Sequence, residues 1–151
     1  MYNDTVTVFN RYVDSFKNTI WYPHVISGVN LIVDKAVIAE KYGKYGDVSK
    51  DNAVMNVKYD IIDGVIMIDD KPYFPPKEWG IQVNDDLPKS ITFTSGNEFD
   101  FFMLGDYGSE EPIIDEKVRF YSDMQKEYDY VFAITSVAKY SVIPHFEIVG
   151  K

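Results

Sequence analysis

With 151 residues, 46% of them hydrophobic and 16% aromatic, the chain carries enough apolar material for one folded domain with a sizeable core, and too much for a disordered one. A formal net charge of -9 argues against binding driven by Lys and Arg displacing counterions from nucleic-acid phosphates. The absence of cysteine excludes disulfides, thiolate catalysis and every cysteine-based zinc site.

Twelve Tyr and ten Phe favour β structure, and the period-two patterns bear this out along the chain. Thr5 to Tyr12 alternates as a strand, Asp14 to Asn18 is turn-like, and Thr19 to Ile26 alternates again, which predicts a hairpin. Pro23 has no N–H to give a ladder, so its strand is expected at an edge or with a bulge. Gly28 permits a bend before Val29 to Val33 continues. From residue 34 to 52 the alternation is lost, and a long loop is expected, with at most a short helix over Lys35 to Tyr42.

Ala53 to Asp60 and Val65 to Ile68 read as strands around the Asp63-Gly64 turn, and Asp69-Asp70-Lys71 turns the chain again. Pro75 to Trp79 suits one helical turn begun by proline. Ser90 to Thr94 is strand-like, Ser95-Gly96-Asn97 is a turn, and Glu98 to Leu104 is expected to pair back on it. After a polar loop from Gly105 to Pro112, Asp115 to Tyr128 has helical spacing, with Val118, Tyr121, Met124 or Gln125, and Tyr128 on one face and Asp115 capping the start. Tyr128 to Val149 reads as two strands broken at Ala138 to Ser141, with Phe146 and Ile148 facing inward and His145 and Glu147 outward. The pattern as a whole predicts a single domain over 1–151, mainly β, an antiparallel barrel or sandwich with one helix at 115–128. No apolar run is long enough for a membrane span, and the start lacks a basic segment followed by an apolar one, so synthesis and use or assembly in a cytoplasm is expected.

No motif supports catalysis, and the chain is read as a non-enzyme without cofactor or metal. His24 and His145 have no ligand spacing around them, which favours a hydrogen-bonded structural or surface role. Asp47, Ser49 and Asp51 begin like a calcium loop, but Asn52 stands where the turn glycine belongs and Lys58 where the closing glutamate belongs. The pairs Asp69-Asp70, Asp85-Asp86 and Glu110-Glu111 lie in turn-like stretches, where solvation and turn chemistry explain them. Gly43-Lys44-Tyr45-Gly46 lacks the spacing of a phosphate-binding loop.

The segments Asp4 to Tyr12 and Thr19 to Val29, with Lys71 to Trp79 and the close Ile143-Pro-His-Phe-Glu-Ile-Val-Gly-Lys151, resemble the minor capsid and head-to-tail connector proteins of tailed phages and prophages of Gram-positive bacteria, head-closure (stopper) proteins above all. The resemblance covers about half of the chain. It implies a β-barrel assembled with copies of itself as a ring below the portal and adaptor. Such a ring joins the head to the tail tube or tail-completion protein and touches packaged DNA only sterically, in a virion neck built in the host cytoplasm. On this view Gly43, Lys44, Tyr45, Gly46 and Asp47 form a DNA-retaining loop, with Gly105 to Ile114 as the second candidate. His145, Glu147, Trp21 and Tyr22 are candidate subunit contacts. A tail-completion or other minor capsid subunit is the nearest alternative, and an acidic ligand- or calcium-binding module is the alternative of another class.

Overall fold

The computed structural model describes residues 2–34 and 52–151. Strands β1 (Asp4–Val13) and β2 (Thr19–Asp34) form the first hairpin. Its turn is held by Asp14, whose Oδ1 accepts the N–H groups of Phe16 at 2.9 Å and Asn18 at 2.8 Å. Strand β3 (Asn52–Lys58) pairs with the second half of β2, and β10 (His145–Gly150) lies between β3 and β9 (Val131–Tyr140). Strand β7 (Phe101–Leu104) bridges β9 and β1. The order β1-β7-β9-β10-β3-β2 returns to β1, so six antiparallel strands close a barrel.

Closure depends on β2 serving two partners. Gly28, at φ +73°, inserts an extra residue where the β1 register steps from Thr5↔Ser27 to Asp4↔Val29. Such a bulge bends the strand and reverses which edge its amides face. The expected bend at Gly28 therefore exists inside one continuous 16-residue strand. Pro23 also falls into place, because its nitrogen points to the same edge as Val25 and Ser27, where no strand among the described residues is paired with this part of β2.

Three further strands, β4 (Asp60–Ile62), β5 (Val65–Ile68) and β6 (Lys71–Pro72), make a small sheet. Asp63 and Gly64, both at positive φ, form its first turn, as the dipeptide predicts. Helix α1 (Pro76–Gly80) is the expected single turn begun by proline.

Ser90 to Thr94 departs from expectation. It is not the hairpin partner of β7, which pairs with β1 and β9 instead. Ile91 and Phe93 join Val6, Val8, Phe102, Phe132, Phe146 and Ile148 in the main core. Asn10, on the inward face of β1, bonds Thr92 in both directions, giving its amide N–H to the carbonyl at 2.7 Å and accepting the backbone N–H at 3.2 Å. This apolar segment thus fills the interior, bonded to Asn10 at Thr92 and through one parallel bridge to the chain around Tyr73 at Ile91, which alternation alone does not distinguish from a ladder strand.

Outside the wall, Phe9 and Phe101 stack at 4.6 Å and are covered by Phe120, Tyr121 and Met124 of helix α2 (Phe120–Glu127). The helix begins at Phe120 and not at Asp115, because Ile113–Asp115 adds to β2 as strand β8 and Val118 adopts φ +52°. Val118 and Tyr128 are accordingly exposed and off the buried stripe. In the terminal hairpin, Phe146 and Ile148 are buried while His145 and Glu147 are half-buried on the other face, as the alternation predicts. Its turn is displaced, since β9 continues through Tyr140 and Val142 and Ile143 belong to the turn.

Gly150 sits against this core, and a Cβ there would lie 2.8 Å from Phe132 Cβ and 2.9 Å from the Phe102 ring. Gly150→Ala is expected to destabilise the fold by about 1–3 kcal/mol, since two buried aromatic residues must shift to admit it. A urea unfolding curve unchanged in midpoint would contradict this packing.

Candidate functional site

Strand edges expose backbone N–H groups, and in this chain carboxylates occupy several of them. Over Pro23 to Ser27, β2 has no ladder partner among the described residues on the side that carries β8 and β3. There Glu110 accepts the Val25 N–H at 2.8 Å and Asp69 accepts the Ser27 N–H at 3.1 Å. Beyond the bulge, Asp4 accepts Leu31 N–H at 2.9 Å. On β1, the Arg11 N–H goes to Asp100 at 2.8 Å. The acidic pairs that look like turn residues in the sequence thus supply, in Asp69 and Glu110, acceptors for amides far away in the chain.

Glu110 also meets Lys71 Nζ at 2.6 Å, and Lys71 lies 2.8 Å from Nδ1 of the buried His24. An ammonium only donates, so His24 accepts through Nδ1 and carries its proton on Nε2. That nitrogen is buried without a partner among the described residues. Burial, and then the adjacent Lys71 charge, lower the His24 pKa to about 3, so it stays neutral. A groove of about 420 Å³ lies beside this network, lined by Asp69, Asp70, Lys71, Asp106, Ser109 and Glu110. Among the described residues no three His, Asp or Glu side chains are placed to hold a metal ion.

Asp100 is wholly buried and collects three donors, with Arg11 N–H on Oδ1 and Thr94 N–H and Asn10 Nδ2, both at 2.9 Å, on Oδ2. Burial pushes its carboxyl up to about 7, against the pull of these bonds. Asp115 accepts Trp21 Nε1 at 3.0 Å and the N–H groups of Arg119 and Phe120 at 2.9 and 3.1 Å. Burial alone would raise its pKa, but those three donors and the Arg11 charge outweigh it and hold it below the usual value. The N-cap position is thus Arg119 and not the expected Asp115, which instead holds the first amides of α2 from the end of a strand. Asp115→Ala is expected to cost about 2–3 kcal/mol by stranding Trp21 Nε1 and two amides, and to raise exchange of the Arg119 and Phe120 amides. Unchanged exchange would remove Asp115 as the anchor of α2.

Among the described residues the most exposed apolar side chain is in the β9–β10 turn, where Val142 is 96% and Ile143 73% exposed. Beneath it Tyr140 and His145 stack at 4.8 Å, His145 Nδ1 lies 2.7 Å from the Ile143 carbonyl, and Tyr59 Oη donates to the Tyr140 carbonyl at 2.9 Å. A rigid base thus holds two apolar side chains in solvent.

Of the expected contact residues, His145 and Glu147 lie on the outer face of β10. Trp21 and Tyr22 do not present themselves to a neighbour. They are buried, Trp21 under α2 and Tyr22 against Trp79 and Leu87, because strand alternation here has cover on both faces. Gly43, Lys44, Tyr45, Gly46 and Asp47 lie outside the described residues. The second loop candidate is fastened to the barrel, with Gly105 N–H on the Thr5 carbonyl at 2.8 Å and Glu110 on β2. No helix among the described residues is long and apolar enough to cross a membrane. The model of a family of unknown function, DUF6751, matches residues 1–151. No curated protein and no solved structure matches the chain.

Proposed function

We propose, for a chain that belongs to this family of unknown function, a structural role as a subunit of the phage neck. Copies of it form a ring below the portal and adaptor, close the DNA-filled head and join it to the tail. The observation that carries the reading is the Val142–Ile143 turn. Apolar side chains held in solvent on a hydrogen-bonded base are suited to being covered by another protein. The segments that resemble connector proteins support it too, since Asp4 to Tyr12, Thr19 to Val29 and Ile143 to Lys151 supply β1, most of β2 and β10 of one closed barrel. A barrel gives each subunit a stiff body with few free edges, which suits repeated assembly. A net charge of -9 per copy repels the DNA backbone, so such a ring holds DNA sterically and lets it leave.

Omission of the gene during particle assembly tests this. The expected result is heads that package DNA and then lose it. Stable DNA-filled heads without tails would move the role to tail completion, and normal particles would exclude both.

A further inference from the structure

The strand edges fall into two kinds. On β2 every N–H from Pro23 to Ser27 that faces the open side is dealt with, since Pro23 has none and Val25 and Ser27 are taken by Glu110 and Asp69. On β1 and on the far part of β2, Asp100 and Asp4 do the same for Arg11 and Leu31. Such caps prevent another strand from adding there.

The outer edge of β9 lacks them. Strand β7 pairs with it only over Val131 to Ala133, and the Ile134 N–H reaches the Asp100 carbonyl at 2.9 Å. From Thr135 to Tyr140, β9 is paired on one side alone, with β10, and among the described residues no side chain caps an amide on its other side. Thr135, Ser136, Lys139 and Tyr140 are exposed. Among the described residues a second edge without a strand partner belongs to β8, the last strand of the sheet, which pairs there with β2 alone. Ile113 and Asp115 face β2 with their backbone groups, so those of Ile114 face outward, and this residue is 67% exposed.

We infer that the outer edge of β9, from Thr135 to Tyr140, receives β8 of a second copy of this chain, so that the sheet continues from subunit to subunit. This rests on the ring reading above. The two edges are different surfaces of one molecule, so the contact is head-to-tail, the kind that closes rings, whereas β9 against β9 would give closed pairs. Charge agrees with this pairing. Lys139 is exposed on this part of β9, with Glu147 opposite Ala138 on β10, while beside β8 Asp115 is held within the chain and Asp123 is paired with Arg119, which leaves Glu116 next to Ile114 to meet Lys139. Val142 and Ile143 adjoin the β9 edge and gain cover as the strand docks. A three-residue strand contributes only a few ladder bonds and well under the roughly 1,200 Å² of a stable interface, so free subunits are monomeric when dilute and meet transiently through this contact at high concentration.

The absence of cysteine makes the test clean. Chains carrying Ala138→Cys and Ile114→Cys, each first shown to melt as the wild type does, are mixed at high concentration and treated with a short bismaleimide. Ser15→Cys, at an exposed turn, serves as the control. The expected product is the mixed Ala138→Cys to Ile114→Cys dimer, several-fold above either chain linked to the control. A mixed product no greater than the control overturns the contact, and so does a dominant product of Ala138→Cys with itself. If the chain is nonetheless found in particle necks, the contact fails and the neck reading stands. A mixed product from a chain absent from particles keeps the contact and removes the neck reading.

Discussion

Asp100→Ala is expected to destabilise the protein by about 3–5 kcal/mol, among the largest effects of any polar substitution in the chain. The loss leaves the N–H groups of Arg11 and Thr94 without their acceptor inside the barrel wall, while Asn10 keeps its bond to the Thr92 carbonyl. Asp100 stands where β7 breaks off, and its carboxylate takes the Arg11 amide that a longer β7 would have paired. The same residue makes stability depend on pH. Its carboxyl titrates at about 7 in the folded chain against an ordinary 3.8, so the folded state binds the proton more tightly. Its stabilising contribution is complete below pH 3.8, declines as pH rises, and is gone once pH passes 7.

Asp100→Asn isolates this effect. One amide oxygen can keep the two bonds now made by Oδ2, but the amide nitrogen then faces the Arg11 N–H, a loss of about 1–3 kcal/mol at low pH. The variant does not titrate. The advantage of the wild type over Asp100→Asn should therefore shrink by about 3 kcal/mol between mildly acidic and mildly alkaline pH, as urea unfolding would measure. A difference that stays constant with pH would contradict a protonated Asp100 in the folded barrel.

Phe146→Ala is the second large effect, at about 3–5 kcal/mol. Its ring lies 4.7 Å from Tyr73, and 5.3 Å from both Tyr59 and Phe93, so one side chain joins β10 to the small sheet and to the segment inside the barrel. Exchange at the Tyr73 and Ile91 amides, which donate to the Ile66 and Pro72 carbonyls, should rise together with the loss of stability. Phe16→Ala is the control. Phe16 is 84% exposed in the first turn, and its removal should change stability by less than about 0.5 kcal/mol. Equal losses in the two variants would mean that Phe146 is no centre of packing.

What the sequence shows and what it hides divide by distance along the chain. Alternation around Phe146 and Ile148, the Asp63-Gly64 turn, Gly28 and Pro76 all act within a few residues, and each is legible. The carboxylate caps are not, because Glu110 meets Val25 from 85 positions away and Asp100 meets Arg11 from 89. In the sequence these residues differ in no way from solvated acids in loops. Ser90 to Thr94 misleads for a related reason. Ile91 and Phe93 alternate as in a strand, but the segment joins no ladder: Ile91 makes a single bridge to Tyr73, and the Asn10 and Asp100 side chains take the amides of Thr92 and Thr94. Ile113 to Asp115 is too short to announce itself, and its pairing with β2 moves the helix start to Phe120. Trp21 and Tyr22 show that an aromatic pair on adjacent positions can be buried on both faces of a strand when a helix covers one side.

The proposed contact surface is the least legible part. Val142 and Ile143 look like strand residues, and only the displaced turn reveals them as exposed. The open edge of β9 emerges from comparison with capped edges elsewhere in the barrel, which no local pattern encodes.

Quantitative mass spectrometry of purified particles tests the central claim most directly. A neck subunit should be present at a fixed small number of copies per portal ring, and should remain with the neck when capsid and tail are separated. Absence of the chain from infectious particles that carry portal and tail proteins would contradict the account.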